Sequence, residues 1–448
     1  MAGVEDCPRL QAVPASDATL VVVGVSHRTA PVAFRERLAL LGAAADELLA
    51  EVTHHPAVTE AVTLATCNRT ELYLASDPVE GERVALAALA RRAGVTPAVL
   101  RRHGYVLRGA EVAGHLFAVA SGLESAVVGE GQILGQVRRA HELALECGTA
   151  GTLTSRLFTD AVSAGRRVRA QTPIARAGVS VSSVAVEIAR DHLGDLASRR
   201  VLVVGTGRSG ELTAKALADR GVAVVVLANR CERRAEELAA RYGVAIPLAE
   251  LARELEQADV VITATASPHQ LITRDDVAAA MAARDGRPLL IVDLALPRDV
   301  EPAVGELDGV TLADLDDVQR RSTVNLSARR EHAGPAAAIA AAEAERFERW
   351  RAGLAAAPTI AALHGRAQDV VEGVLRENAG RWESASIADR RRIEALARAI
   401  AQRLLHEPTA QLRRAAQDAD EDALRLARGL FALDAPEAEA PVRRAASQ

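Results

Sequence analysis

"VLVVGTGRSGELTAKAL", residues 201–217, is the stretch on which the reading of this chain turns. The apolar run Val201–Val204 ends on Gly205-Thr206-Gly207-Arg208-Ser209-Gly210 and gives way to helix-forming sequence. Glycines at that spacing permit a tight turn and bring the backbone close to a pyrophosphate seated on a helix N-terminus. A lone GxGxxG also occurs in ordinary glycine-rich turns. This one has a strand pattern before it, a helix pattern after it, and a second apolar strand, "VAVVVLANR" (222–230), completing the unit. A dinucleotide site built on Gly205, Thr206, Gly207, Arg208, Ser209 and Gly210 is the expectation.

The end of the second strand bears on which dinucleotide. An acidic residue there would serve the ribose hydroxyls of NAD. The chain instead has Asn229 and Arg230, with Arg233 and Arg234 one turn later. A guanidinium pairs with a 2′-phosphate that a carboxylate would repel. NADPH is therefore the expected cofactor, the alternative being a solvated arginine face at a helix start.

Two further apolar runs, "DVVITATAS" (259–267) and "PLLIVDLAL" (288–296), follow with helical sequence between them. Continuous Val/Ile/Leu runs alternating with helices predict a parallel sheet covered on both faces, over residues 173–322. Upstream, over 18–172, "LVVVGVSH" (20–27) and "AVTLATC" (61–67) read as strands among helices such as "AADELLAEV" (44–52), an α+β pattern. "TLTSRLFTDAVSAGRRVRAQT" (152–172) reads as a helix whose Arg156, Arg166, Arg167 and Arg169 are nearly unopposed by acids. Downstream, 323–435 is helical in pattern, with apolar stripes in "AAAIAAAEAERFERWRAGL" and "RRIEALARAIAQRLLHE" and no strand. Helices with so little core of their own pack on each other or on a second subunit. The tail 436–448 is too rich in small residues and proline to fold.

Composition narrows the function. At 448 residues, 49% hydrophobic and 25% charged, the chain suits two or three globular domains. A net charge of −5 makes no electrostatic case for DNA binding, and 2% aromatics is too few for a base-stacking platform. Cys7, Cys67, Cys147 and Cys231 form no CxxC pair, and the adjacent His54-His55 lack the spacing of helical metal ligands, so no metal is expected. "LVVVGV" is too short to span a bilayer, and the first residues carry acids and prolines where a signal peptide needs an apolar run. A cytoplasmic protein with reduced thiols and no membrane association is the expectation.

One cysteine stands apart. Cys67 follows a strand, between polar residues and two positions from Arg69. That setting suits a lowered pKa and a nucleophilic thiolate. A partly exposed structural cysteine is the other reading. Beside a nicotinamide domain, a nucleophilic thiol points to attack on an activated acyl group, a thioester, and its reduction by hydride to an aldehyde.

The segments "VVGVSHRTAPVAFRERLAL" (22–40), "TCNRTELYL" (66–74) and "ASGLESAVVGEGQILGQVRRA" (120–140) together resemble glutamyl-tRNA reductase. The resemblance continues through "VSVSSVAVEIA", "GTGRSG", "ANR" and "VDLALPRDVEP", in order along nearly the whole chain. It implies that Cys67 attacks the ester joining glutamate to the tRNA 3′ end, and that hydride from NADPH releases glutamate-1-semialdehyde, a tetrapyrrole precursor. It implies that Thr66, Asn68 and Arg69 hold the glutamyl group, Arg69 as a bidentate carboxylate clamp, with Ser125, Glu130, Gly131, Gln132 and Gln136 completing the substrate site. His115 matches a histidine that assists the acyl chemistry; read alone it is a structural helix residue. Ser180, Ser182 and Ser183 lie near the reducing site with no assigned role.

The architecture implied is an α/β multidomain chain. It has an N-terminal α+β catalytic domain, a Rossmann-like NADP-binding domain and an all-helical C-terminal dimerisation domain of a V-shaped homodimer, with hinge motion between the first two. A transient complex with the aminomutase that consumes the aldehyde is also implied. Pro335, inside the connecting helix, is expected to kink or break it. Two other readings are an NADPH-dependent dehydrogenase of a small free substrate, similar to shikimate dehydrogenase, and a non-catalytic dimeric scaffold binding RNA through its arginine helix.

Overall fold

The computed structural model describes residues 18–175, 180–222, 224–324, 327–382, 384–418 and 420–433. The extension before Leu20 and the tail after 435 that the sequence reading singled out lie outside these, save for Ala18 and Thr19. Contacts divide the chain into two units, one up to Ala344 and one from Glu345.

The first unit contains two sheets. One is antiparallel, built from β1 (Thr19–Ser26), β2 (Val58–Ala65), β3 (Arg69–Ser76) and β4 (Tyr105–Arg108), in the order β2-β3-β1-β4. The sequence reading found β1 and β2. It passed over β3, although all eight of its residues are buried. The polar residues Arg69, Thr70 and Glu71 disguise it: they meet one another's partners inside the domain rather than water. Opposite Glu71 on β1 stands Gly24, where a Cβ would come within 2.8 Å of the Glu71 side chain. The small residue makes room for a buried carboxylate.

The second sheet is parallel: β5 (Arg200–Val204), β6 (Val224–Asn229), β7 (Val244–Pro247), β8 (Val260–Thr263), β9 (Leu289–Asp293) and β10 (Val310–Ala313), in the order β10-β9-β8-β5-β6-β7. Strand order reverses at β5, so the crevice at the carboxyl ends of β5 and β8 is where such sheets bind ligands. Alternation sends Val201, Val203, Val225 and Leu227 into one buried layer with the helices Val181–Leu193 and Arg208–Ala218. It sends Leu202, Val204, Val226 and Ala228 into another with Leu251, Leu255, Val277 and Ala280. Both faces are covered, as continuous apolar strands require. The edge strands β7 and β10 are four residues each and were too short to stand out in the sequence.

The helix Leu315–Val324 follows β10, and Leu315 and Val318 anchor it in the first of those layers. The helix Ser327–Gly353 contains Pro335 and continues through it, so the expected break does not occur. Alanines, the strongest helix formers, fill the turns after the proline. Ala336 is buried against Val168 and Ile174, which holds the turn in place.

The second unit is helical: Ala357–Glu377, Ile387–Gln417 and Glu421–Leu430. Its core is small, centred on Ala356, Leu363, Leu405, Leu412 and Ala416. Val370 and Val374 on one helix, and Leu396, Ile400 and Leu404 on the next, are exposed. Spacings of four residues align each set into an apolar stripe.

Candidate active site

The β2–β3 connection is three residues long, Thr66-Cys67-Asn68. Its conformation is set by Thr66, whose backbone N–H donates to the Arg69 carbonyl at 2.8 Å. Its Oγ1 accepts from the backbone N–H of Asn68 at 3.1 Å and of Arg69 at 3.2 Å. Thr66 is thus a turn-former, and Cys67 is presented at the tip. Around the thiol, a cleft is lined by Thr66, Asn68, Arg69, Ser125, Glu130, Gln132 and Gln136, all expected from the sequence, together with Ile133. Its volume is only about 10 Å³.

The electrostatics differ from expectation. Burial, and then the Glu130 charge, push the Cys67 thiol up to about 12, with Arg35 and Arg69 acting the other way. In this form the sulfur is a protonated thiol, not the low-pKa thiolate that its neighbour Arg69 suggested. Arg69 is committed elsewhere: its Nη1 donates to Glu71 Oε1 at 2.6 Å and its Nη2 to the Glu124 carbonyl at 2.5 Å. Glu130 sits in the opposite position. Desolvation lifts its carboxyl to about 7, with Arg169 opposing weakly.

His115 does not line the cleft. Its Nε2 lies 2.8 Å from Glu71 Oε1, and its ring meets the Tyr105 ring edge-on. Glu71 also accepts from Tyr73 Oη at 2.6 Å and from Tyr105 Oη. Against the desolvation of burial, Arg69, then His115 and Tyr105, hold the Glu71 carboxyl far below the usual range. His115 thus reaches the nucleophile loop only through Glu71 and Arg69. Glu71, which stands inside "TCNRTELYL", was missed because nothing in a strand pattern marks a buried carboxylate.

A second cleft, about 950 Å³, lies against the glycine-rich loop. Gly205 to Ser209 line it, as do Asn229, Arg230 and Arg234, while Arg233 pairs with Glu237 on its own helix. Gly205 has φ +102°, open to glycine, and a Cβ there would lie 2.7 Å from the Ala264 carbonyl. At Gly210 a Cβ would fall 1.8 Å from the Gly205 carbonyl, so only glycine lets the helix Arg208–Ala218 start against the strand. Thr206 Oγ1 is buried with no hydrogen-bond partner in this cleft. A cradle without side chains, an orphaned hydroxyl and guanidiniums at the β6 end fit a dinucleotide.

Glu130, Gln132 and Gln136 line both clefts, so the segment opening the helix Gln132–Glu146 is a wall common to them; Gly131 faces the larger one. Ser182 Oγ donates to the Ser209 carbonyl at 3.0 Å, bracing the glycine-rich loop, and Ser180 caps the helix Val181–Leu193. The arginine helix is less bare than it read: Arg156 pairs with Asp160 and Arg167 with Glu343, while Arg169 donates to the Glu130 carbonyl at 2.5 Å.

Three family models match in sequence order. They are the glutamyl-tRNA(Glu) reductase N-terminal domain over 23–172, shikimate/quinate 5-dehydrogenase over 187–321, and the glutamyl-tRNA(Glu) reductase dimerisation domain over 335–433. A glutamyl-tRNA reductase from Syntrophotalea carbinolica is 40% identical over 89% of this chain and 90% of its own length. One from Moorella thermoacetica is 41% identical over 89% and 91%. The chain belongs to the glutamyl-tRNA reductase family. A solved glutamyl-tRNA reductase from Methanopyrus kandleri is 34% identical over 89% of this chain and 98% of that one, with a TM-score of 0.46. The likeness to shikimate dehydrogenase belongs to the nucleotide domain alone, so the reading of the whole chain as a small-substrate dehydrogenase gives way to the reductase family. That family is one of oxidoreductases, and the nucleotide domain binds a nicotinamide cofactor. Among the described residues, no helix is long and apolar enough to cross a membrane.

Gly210→Ala is expected to weaken nicotinamide cofactor binding about 10- to 100-fold through forced displacement of the loop. Fluorescence titration of the variant against the parent checks this.

Proposed function

We propose that this chain reduces glutamyl-tRNA to glutamate-1-semialdehyde with NADPH through a thioester on Cys67. The observation that carries this reading is the shared wall: one short segment, Glu130 to Gln136, faces both the Cys67 cleft and the glycine-rich cleft. The relatives carry the substrate in their names, and an aminoacyl ester is already activated, so neither ATP nor a metal is required.

In the first step the sulfur of Cys67 bonds to the glutamyl carbonyl carbon and the bond to the tRNA ribose oxygen breaks. The thiol proton needs an acceptor, because a thiol held near 12 is not ionised beforehand. Glu130 fills that role. Its carboxyl sits near 7, and once protonated it no longer opposes the thiolate, leaving Arg35 and Arg69 to favour sulfur anion. The proton then passes to the departing ribose oxygen. NADPH, when bound in the glycine-rich cleft, would supply the hydride that reduces the thioester to the aldehyde; the Cys67 sulfur would leave as a thiolate and take its proton from solvent. Gly205, Gly207 and Gly210 would admit the pyrophosphate, Thr206 would donate to it, and Arg230 and Arg234 would hold the 2′-phosphate. Thr66 and Asn68 shape the loop, while Ser125, Gln132 and Gln136 offer polar groups to the glutamyl moiety. Arg69 positions that moiety from its Glu71 anchor, and His115 acts on Arg69 through Glu71.

The domain assignment belongs to the same proposal: 18–172 catalytic, 173–322 nucleotide-binding and 323–435 dimerising. The exposed stripes Val370/Val374 and Leu396/Ile400/Leu404 support a homodimer. A cytoplasmic location accords with the reduced thiols this chemistry needs. The reactivity of the aldehyde favours a transient complex with the aminomutase that consumes it.

Cys67→Ser should abolish reduction while leaving cofactor binding near that of the parent, since a serine alkoxide is both harder to form and a poorer leaving group. Labelled glutamyl-tRNA, incubated without NADPH, should label the parent protein on Cys67 and not the variant; full turnover in the variant sinks the mechanism. The rate at saturating cofactor should rise with pH and level off above about 7, the range in which Glu130 becomes an ionised acceptor. Glu130→Gln should lose that limb and slow acylation by about 10²- to 10⁴-fold; an unchanged pH profile would assign the proton to another group. Arg230→Asp should shift preference from NADPH toward NADH, read as the ratio of the two dissociation constants.

A further inference from the structure

The nucleophile loop belongs to the N-terminal sheet, yet it is gripped from the nucleotide domain. Arg35, 2% exposed, donates from Nη1 to the Cys67 carbonyl at 2.7 Å and from Nε to the Ala30 carbonyl at 3.2 Å. Its Nη2 lies 2.6 Å from Asp316 Oδ1, on the helix Leu315–Val324. Asp316 Oδ2 accepts from the Val32 backbone N–H at 2.8 Å, so one carboxylate holds both the guanidinium and the chain beside it. One turn further along the same helix, Gln319 Nε2 donates to Asn68 Oδ1 at 2.9 Å. Glu36 adds a third tie, accepting from Arg298 at 2.9 Å and 2.5 Å.

We propose that Asp316 is a positioning residue for Cys67, acting through Arg35 so that the nucleotide domain sets the loop conformation in which the thiol accepts the acyl group. The inference rests on the reading of Cys67 as nucleophile. A guanidinium this deeply buried holds one orientation only while its charge is paired. Without the Asp316 carboxylate, Arg35 loses the contact that aims Nη1 at the Cys67 carbonyl, and the loop keeps only its holds on Asn68, from Gln319 and the His27 backbone N–H. The charged groups around the sulfur are Glu130, Arg69 and Arg35, with His27 and Arg28 close to the two arginines. Arg35 is the one among them whose placement is decided by a residue 281 positions away. Acylation, which needs no cofactor, thereby depends on a residue of the cofactor domain.

The test is a double-mutant cycle on the full-length protein: Arg35→Met, Asp316→Asn and the pair together. Three quantities are measured: single-turnover acylation of Cys67 by glutamyl-tRNA without NADPH, its dependence on tRNA concentration, and the dissociation constant for NADPH. Each single variant should lower the acylation rate constant about 10- to 100-fold, with half-saturating tRNA and NADPH affinity within about threefold of the parent. The double variant should be no slower than the worse single, because the two residues act as one unit. Carbamidomethylation of Cys67 by iodoacetamide, read by mass spectrometry, should change in the same variants. Acylation within twofold of the parent in Asp316→Asn, independent multiplicative losses, or a loss that follows NADPH affinity and the melting temperature would each overturn the proposal. Failure of the underlying reading looks different: Cys67→Ser would then still capture the acyl group, whatever Asp316→Asn does.

Discussion

A carboxylate with no exposed surface, Glu71, organises the N-terminal half of this protein. A buried charge must be paired and hydrogen-bonded or it is strongly unfavourable. Glu71 satisfies that demand by drawing in Arg69 from its own strand, Tyr73 two residues on, Tyr105 from β4 and His115 from the helix Ala110–Ala120. One anion thus fixes the relative placement of two strands and a helix. It also fixes Arg69, whose other hand reaches the Glu124 carbonyl next to Ser125. The geometry of the thiol loop is therefore inherited from a group one layer below it.

The parallel sheet was legible in the sequence because its cause is local. Strand, glycine turn and helix lie within residues 200–218, and Gly205 and Gly210 meet constraints set by their immediate neighbours. The strand leading to Cys67 was legible for the same reason, although it ends at Ala65. The protonation of Cys67 was not. Arg69, two positions away, suggested a thiolate, but its charge is matched by Glu71, and the group that dominates after burial is Glu130, far along the chain. Arg35 escaped notice because "VAFRERL" reads as an ordinary amphipathic stretch; only the fold brings Asp316 to it. Pro335 illustrates the reverse case: of the kink or break that it signals, the break does not occur, the helix running on through alanine-rich turns with Ala336 packed.

The two clefts divide the work by chemistry. The larger is wide, partly polar and rimmed with guanidiniums, suited to an anionic cofactor that comes and goes. The smaller is a narrow space, lined mostly by polar side chains, around a single sulfur. Their common wall begins at Glu130, whose backbone carbonyl is held by Arg169 while its side chain remains desolvated. Glu130, Gln132 and Gln136 face both clefts, so on the proposed chemistry a proton acceptor at Glu130 would serve the sulfur while standing at the edge of the cofactor cleft.

The tightness of the thiol cleft has a consequence for the fate of an acyl group formed there. A space of about 10 Å³ is at the lower limit for one water molecule. On the proposed chemistry a glutamyl group would have to displace part of the lining to enter, and once seated would occupy the volume a hydrolytic water would need. Hydrolysis would then require a further opening of the same walls to admit water. Protection of such an acyl group would reside in how closely the walls return around it, a matter of packing rather than of intrinsic reactivity.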